Sequence, residues 1–183
     1  MKKALIIIDI QNDYFPGGTM ELHKSTEAAC NCKKVLDLFR KNKELIIYIQ
    51  HIALKPGASF FLPGTKGAEI YEGVKPLEGE IILQKHFPNS FRETGLHDLL
   101  KKNGVTNLVF TSMMTHMCVD TTVRAAFDLG YTSTVLGDCC AAKKLTYKNE
   151  TVEAEDVQCS YIAALNGTFA SVINTEELCI TTM

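Results

Sequence analysis

Six short runs, four of them apolar at consecutive positions and two interrupted by serine or threonine, are the feature that most limits how this chain can fold. They lie at residues 4–8, 45–49, 81–83, 108–110, 132–136 and 169–173. A strand that is apolar on both sides must be covered on both faces, which is typical of a parallel sheet between helices. The runs therefore predict an α/β fold: a three-layer α/β/α sandwich around a six-stranded, mostly parallel, Rossmann-like sheet.

Helix-like segments separate these runs. Ser25 resembles an N-cap, and the residues after it are apolar at helical spacing: Ala28, Ala29, Cys32, Val35, Leu36 and Phe39. A shorter helix carries Leu96, Leu99 and Leu100. Two more are expected over residues 116–129 and 151–165, the first with Val119, Val123, Ala126 and Phe127 facing inward. The length suits one domain, 1–183, and the loop over residues 51–80 is long enough to suggest a functional role.

The composition excludes several classes of protein. Nineteen basic and twenty-one acidic residues give a net charge of −2 without a block of one sign, which argues against a nucleic-acid partner. No apolar run approaches the ~18 residues of a membrane span, so no membrane partner is expected. Seven cysteines cannot all pair within one chain, and Met1-Lys2-Lys3 leads into a strand without a cleavage pattern. We therefore expect a cytoplasmic protein with free thiols.

No dinucleotide or phosphate-binding loop follows the first strand, so side chains must supply the chemistry. In parallel sheets, ligands bind at the carboxyl ends of the strands. Asp9 ends the first run, Lys85 ends the third, and Cys118 follows the fourth. Singly, each has an ordinary structural interpretation: a turn-forming carboxylate, a solvated lysine and an inert buried thiol. Together they form the base, cation and nucleophile of covalent catalysis.

The charge state of Cys118 depends on opposing neighbours. A helix N-terminus and the Lys85 ammonium would lower the pKa of the thiol, whereas the Asp9 carboxylate would raise it. We expect the two stabilising influences to prevail, which predicts a reactive thiolate at Cys118.

Three segments resemble the isochorismatase-like cysteine hydrolases, a superfamily that includes nicotinamidases and related amidohydrolases. They are LIIIDIQNDYF at residues 5–15, KHFPNSF at 85–91 and THMCVDTTVRAA at 115–126. The family's Asp-Lys-Cys triad falls on Asp9, Lys85 and Cys118. The resemblance implies that Asp9 moves the thiol proton, Lys85 stabilises the charges and Cys118 forms a thioester.

Other features follow from the same resemblance. The backbone N–H groups of Met114 and Cys118 would form an oxyanion hole, beside a non-proline cis peptide bond between Met113 and Met114. Family members are commonly dimers or tetramers, so a homodimer or homotetramer is expected. Ser112 stands where family members usually carry glycine, and this difference bears on the geometry of the turn.

The resemblance to nicotinamidases is incomplete because their metal ligands are missing. After the second strand only His51 is present, and the next histidine is His86. One histidine does not make a zinc or iron site, so no metal and no other cofactor is expected. Candidate contacts to a small-molecule substrate are Gln11, Phe15, His51, Phe87 and His116.

The sequence thus predicts a metal-independent cysteine hydrolase that cleaves a C–N bond in a small amide, lactam or ureido compound. The alternatives are an isochorismatase-type vinyl ether hydrolase, a nicotinamidase with an atypical site, and a binding protein on an inactive fold. Cys118 favours the amidohydrolase, and the intact set of three residues argues against an inactive fold.

Overall fold

The computed structural model describes residues 2–181, which form eight strands and five helices. The strands are β1 (Lys2–Ile8), β2 (Leu45–His51), β3 (Ile81–Lys85), β4 (Val105–Met113), β5 (Thr132–Ala141), β6 (Leu145–Tyr147), β7 (Glu150–Val152) and β8 (Ser171–Ile173). The helices are α1 (Ser25–Lys41), α2 (Leu96–Lys102), α3 (Asp120–Asp128), α4 (Ala154–Leu165) and α5 (Thr175–Thr181). No helix among the described residues is long and apolar enough to cross a membrane.

Six strands form one parallel sheet in the order β3-β2-β1-β4-β5-β8. Residues 4–8 of β1 are at most 1% exposed, so both faces of this central strand are covered. Leu5 and Ile7 pack with the apolar face of α1, whereas Ala4, Ile6 and Ile8 pack with α2 and α3. Burying one such side chain contributes about 1.5–3 kcal/mol. The three-layer α/β prediction is confirmed.

Several local predictions were wrong. Ser25 is the first residue of α1 rather than its cap; Lys24 precedes it in the left-handed conformation, without a side-chain cap. Phe127 is 45% exposed and packs edge-on against Phe169 instead of facing the core. The antiparallel β6–β7 pair and α5 were not predicted, and the sixth run forms a strand only over Ser171–Ile173.

The loop between β2 and β3 is packed against the end of β1. It contains two 3₁₀ turns, Lys66–Ala68 and Glu72–Val74. The buried Asp13 carboxylate accepts hydrogen bonds from Phe61 N (2.6 Å) and Thr19 Oγ1 (2.9 Å). A Cβ on Gly67 would lie 2.2 Å from Asp13 Oδ1, so only glycine permits this approach. The loop is thus held against the carboxyl edge of the sheet.

Candidate active site

Asp9 lies immediately after β1 and has no exposed surface. Its backbone is in the left-handed region with φ of 55°, which is uncommon for a residue with a side chain. Its amide donates to Ile49 O at 2.9 Å. Such backbone conformations persist where the surrounding structure enforces them. The turn at the strand end therefore holds a carboxylate inside the protein.

Lys85 ends β3, which is one of the two edge strands of the sheet, and is also fully buried. Its side chain crosses the end of β2 and brings Nζ to 2.7 Å from Asp9 Oδ2 and 3.1 Å from Cys118 Sγ. Burial lowers the pKa of the lysine, but the charges of Asp9 and Cys118 and the hydrogen bonds to them together outweigh burial, and the pKa is raised. The ammonium and the carboxylate therefore compensate each other's charge inside the protein.

Cys118 lies in a π-helical turn, Thr115–Val119, which precedes α3. This turn is joined to α4 by a hydrogen bond between the Thr115 hydroxyl and Gln158. Burial raises the pKa of the Cys118 thiol, Asp9 raises it further, and Lys85 only partly opposes them. The expected resting thiolate is therefore wrong: burial, which depends on how distant segments pack around the thiol, raises its pKa most, and the thiol keeps its proton beside the Asp9–Lys85 pair.

His51 completes the surroundings of the ammonium, with Nδ1 3.0 Å from Lys85 Nζ. An ammonium can only donate, so Nδ1 must accept and the ring proton must lie on Nε2. Burial and the charge of Lys85 lower the pKa of His51 to about 4. The imidazole is therefore neutral at pH 7, and no described residue accepts a hydrogen bond from its Nε2.

A potential metal cluster coincides with this site. Ligand atoms of Asp9, His51 and Cys118 all lie within 4.8 Å of one another, the only such group among residues 2–181. Lys85 Nζ already meets all three of these side chains at 2.7–3.1 Å. A metal ion there would have to displace a buried ammonium, so the donor set fits the lysine better than a metal.

The peptide bond between Met113 and Met114 is cis, as the family resemblance implied. The Met114 carbonyl accepts hydrogen bonds from Met117 N (3.1 Å) and Val119 N (3.3 Å), which closes the nucleophile turn. The oxyanion hole formed by Met114 and Cys118 stays a prediction.

Two of the expected substrate contacts, Gln11 and Phe15, are engaged within the protein. Gln11 Nε2 donates to His51 O (2.9 Å) and Ala68 O (2.7 Å), which uses both of its N–H groups. Phe15 is 4% exposed and stacks on Tyr71 with ring centroids 3.7 Å apart. These contacts indicate structural roles for both side chains, while their contact with substrate stays a prediction.

The other two candidates, Phe87 and His116, lie near the triad in sequence but differ in surroundings. The Phe87 side chain is half-buried, and its ring centroid lies 3.5 Å from Cζ of the Arg92 guanidinium. The backbone carbonyl of Phe87 accepts a hydrogen bond from Lys85 Nζ at 3.2 Å. His116 is buried against Tyr161 of α4, and its Nδ1 has no hydrogen-bond partner among the described residues. Burial lowers the pKa of His116. Their contact with substrate also stays a prediction.

Tyr14 is a neighbour of the site that the sequence argument did not single out. Its pKa is raised by burial and by the nearby Cys118 and Asp9, and its ring packs on Phe61 at 4.5 Å. It lies within the first of the three segments quoted above. Its side chain brings an aromatic ring to the triad from the 3₁₀ turn after β1.

The Isochorismatase domain family matches residues 3–177. The chain is 47% identical over 176 residues to the isochorismatase family protein YddQ of Bacillus subtilis, covering 96% of this chain and 98% of that protein. Ureidoacrylate amidohydrolase RutB of Caulobacter vibrioides is 29% identical over 168 residues, covering 74% and 75% of the two chains. The crystal structure of an isochorismatase hydrolase from Oleispira antarctica superposes with a TM-score of 0.93 at 39% identity, covering 97% and 95%.

Proposed function

Because this chain belongs to the isochorismatase family, we propose that it is a cysteine hydrolase that cleaves a C–N bond in a small amide, lactam or ureido compound. One observation carries the proposal. Lys85 Nζ lies within 3.1 Å of both a buried carboxylate and a buried thiol. This supports the arrangement of base, cation and nucleophile that covalent hydrolysis requires.

The proposed reaction begins when Asp9 takes the proton of the Cys118 thiol. Sγ then attacks the substrate carbonyl carbon, and the oxygen gains a negative charge that the N–H groups of Met114 and Cys118 stabilise. Asp9 returns the proton to the leaving nitrogen as the C–N bond breaks, which leaves a thioester and a free amine. Water then gives a proton to Asp9 and adds as hydroxide to the thioester carbon. The C–S bond breaks to leave a carboxylic acid, and Asp9 returns the proton to the Cys118 sulfur, which restores the thiol.

The raised pKa of Cys118 fits this order of events. The resting site holds one negative charge on Asp9 and one positive charge on Lys85, so transfer of the thiol proton to Asp9 conserves the net charge. Lys85 then faces a thiolate instead of a carboxylate at a similar distance. The ammonium therefore stabilises either anion, and the proton moves without bringing a new charge into a buried site.

We propose further that this chemistry needs no metal or organic cofactor. The position between the three potential ligand side chains is filled by the Lys85 ammonium, which supports this view. The rest of the description also stands as proposal: a single domain over 1–183, a cytoplasmic location, a homodimer or homotetramer, and a small-molecule substrate. The Nε2–H group of His51 donates to no described residue, and we propose that it donates a hydrogen bond to such a substrate.

A panel of small amides, lactams and ureido compounds tests the proposal. We expect at least one to gain water, detected by released ammonia or by mass, and we expect an acyl adduct on Cys118 in the quenched enzyme. Cys118→Ser should reduce turnover by roughly 10³-fold or more. Cys159→Ser is the matched control, since this thiol is exposed on α4, and it should retain turnover.

Two outcomes would contradict the proposal. Hydrolysis that persists in Cys118→Ser would exclude the thioester route. Conversion of a vinyl ether, with every C–N substrate left intact, would favour the isochorismatase-type alternative.

A further inference from the structure

The main chain of His51 is fixed by hydrogen bonds to a buried side chain. Its backbone N donates to Gln11 Oε1 at 2.7 Å, and its backbone carbonyl accepts from Gln11 Nε2 at 2.9 Å. It is also the residue of β2 that pairs in register with Lys85 of β3. The buried Gln11 side chain thus fixes the main chain of His51 on the strand beside Lys85.

The Lys85 ammonium has three N–H donors and four acceptors within reach. Asp9 Oδ2 lies at 2.7 Å and His51 Nδ1 at 3.0 Å. Cys118 Sγ lies at 3.1 Å and Phe87 O at 3.2 Å. Without His51, the ammonium could rotate until Phe87 O took a full share of one N–H. The imidazole therefore affects which of the other three acceptors receive the two remaining N–H groups of Lys85.

We infer that His51 is a positioning residue for Lys85: its neutral imidazole accepts one N–H at Nδ1 and thereby directs the other two at Asp9 and Cys118. The inference rests on the proposed triad, but it assigns a role that the triad does not contain. It requires one ring form, neutral with the proton on Nε2. A protonated ring would turn an N–H toward the ammonium and lose the contact.

The charges around His51 favour that neutral form. Lys85 and His86 oppose a second positive charge, and Asp9 favours it. The Cys118 thiol, which keeps its proton at rest, adds no charge on its side of Lys85. Burial acts in the same direction as the two cations. The contact between His51 and Lys85 should therefore hold down to a pH of about 4 and fail below it.

Two substitutions separate hydrogen-bond acceptance from the shape of the side chain. In His51→Asn, Oδ1 replaces Nδ1 as acceptor and cannot titrate. In His51→Leu, the volume is similar but no acceptor remains. The measurement is the rate of Cys118 alkylation by iodoacetamide between pH 7 and 10, mapped by mass spectrometry, which needs no knowledge of the substrate.

We expect His51→Leu to raise the apparent pKa of Cys118 by about one unit, which slows alkylation about tenfold at fixed pH. His51→Asn should stay within about threefold of the unmodified protein, a rescue that a role in packing alone would not produce. Equal rates in all three proteins, or faster alkylation in His51→Leu, would overturn the inference.

Nitrogen-15 NMR of the wild-type imidazole provides a second readout that needs no variant of His51 to fold. At pH 7 the ring should be neutral with its proton on Nε2; a proton on Nδ1 or a charged ring would also overturn the inference. The proposed hydrolase function and the positioning role of His51 can be contradicted independently. Slow alkylation in His51→Leu without any C–N hydrolysis would remove the function and leave the positioning role.

Discussion

The triad site and a groove between α1 and α4 differ in how far their ion pairs are buried. The groove encloses about 520 Å³ and is lined by residues of both helices and of the end of β5. Its ion pair joins Lys24 and Glu155, whose side chains are 60% and 66% exposed. The triad site has almost no exposed surface, and its ion pair of Asp9 and Lys85 is completely buried.

The two ion pairs differ in what their charges contribute to the free energy of the protein. An exposed ion pair contributes about 0–1 kcal/mol because water solvates its charges nearly as well as the partner does. A buried pair has lost that solvation, and removing one partner leaves an uncompensated charge that costs about 3–5 kcal/mol. A thiol beside such a pair lies in a strong local field. The reactive region is therefore the one with buried, mutually dependent charges.

The largest expected effect compares two carboxylates, one from each region. Asp9→Asn removes the proposed base and should reduce turnover by roughly 10³-fold or more. Because Asp9 raises the pKa of Cys118, this substitution should also shift the pH dependence of Cys118 alkylation to lower pH. Turnover and alkylation at fixed pH, measured on one preparation, test both effects.

Asp138→Asn is the matched control from the groove. Asp138 accepts hydrogen bonds from Thr175 N and Oγ1, both at 3.0 Å, and does not contact the triad. We expect turnover to stay within about twofold and the free energy of unfolding to fall by about 1 kcal/mol. Similar losses of turnover in both variants would contradict the separation of the two regions.

A local sequence pattern predicts strands and the residues at their ends, but it does not predict how distant segments pack. The apolar runs predicted the central sheet, and the strand ends indicated Asp9, Lys85 and Cys118, because parallel strands bring their carboxyl ends together. The β6–β7 pair was missed because its residues are mostly exposed and carry no apolar pattern. The pKa of Cys118 was misjudged because burial depends on how distant segments pack around the thiol.

His51 illustrates the same limit at the scale of one residue. The sequence indicated a histidine near the site but not its partner. The contact with Lys85 depends on the pairing register of β2 and β3, which joins residues 34 positions apart. No short motif contains that register.

An intermediate effect concerns stability in acid. The pKa of His51 falls from its usual value of 6.5 to about 4 in the folded protein. Between these values the unfolded chain binds a proton that the folded protein does not, so the contribution of His51 to stability decreases as the pH falls from 6.5 to 4. Since the ring is partly solvated, we expect a loss of about 1–2 kcal/mol.

Urea unfolding of the wild type and of His51→Asn at pH 4 and pH 6.5 isolates this contribution, since the other titrating groups are common to both. The free energy of unfolding should fall less in His51→Asn over this range. An equal fall in the two proteins would mean that His51 titrates near its usual pKa and that Lys85 does not repel its proton.

The smallest expected effect concerns the exposed pair in the groove. Glu155 accepts hydrogen bonds from Lys24 Nζ at 2.6 Å and from His23 Nε2 at 3.2 Å, and these contacts lower the pKa of the Glu155 carboxyl. Any stability that it contributes is present above its usual pKa and is lost as the pH falls through the lowered value. At neutral pH, Glu155→Gln should shift the melting temperature only slightly. The shift should shrink further as added salt screens the charges.

Thermal unfolding of Glu155→Gln at low and high salt, together with turnover, makes this the most sensitive test of the comparison. The groove and the triad site meet at the π-helical turn, because α4 both lines the groove and binds Thr115 through Gln158. If the regions are independent, turnover stays at the wild-type value whatever happens at the surface. A loss of turnover that follows the salt dependence of the melting temperature would mean that α4 transmits the state of the groove to Cys118.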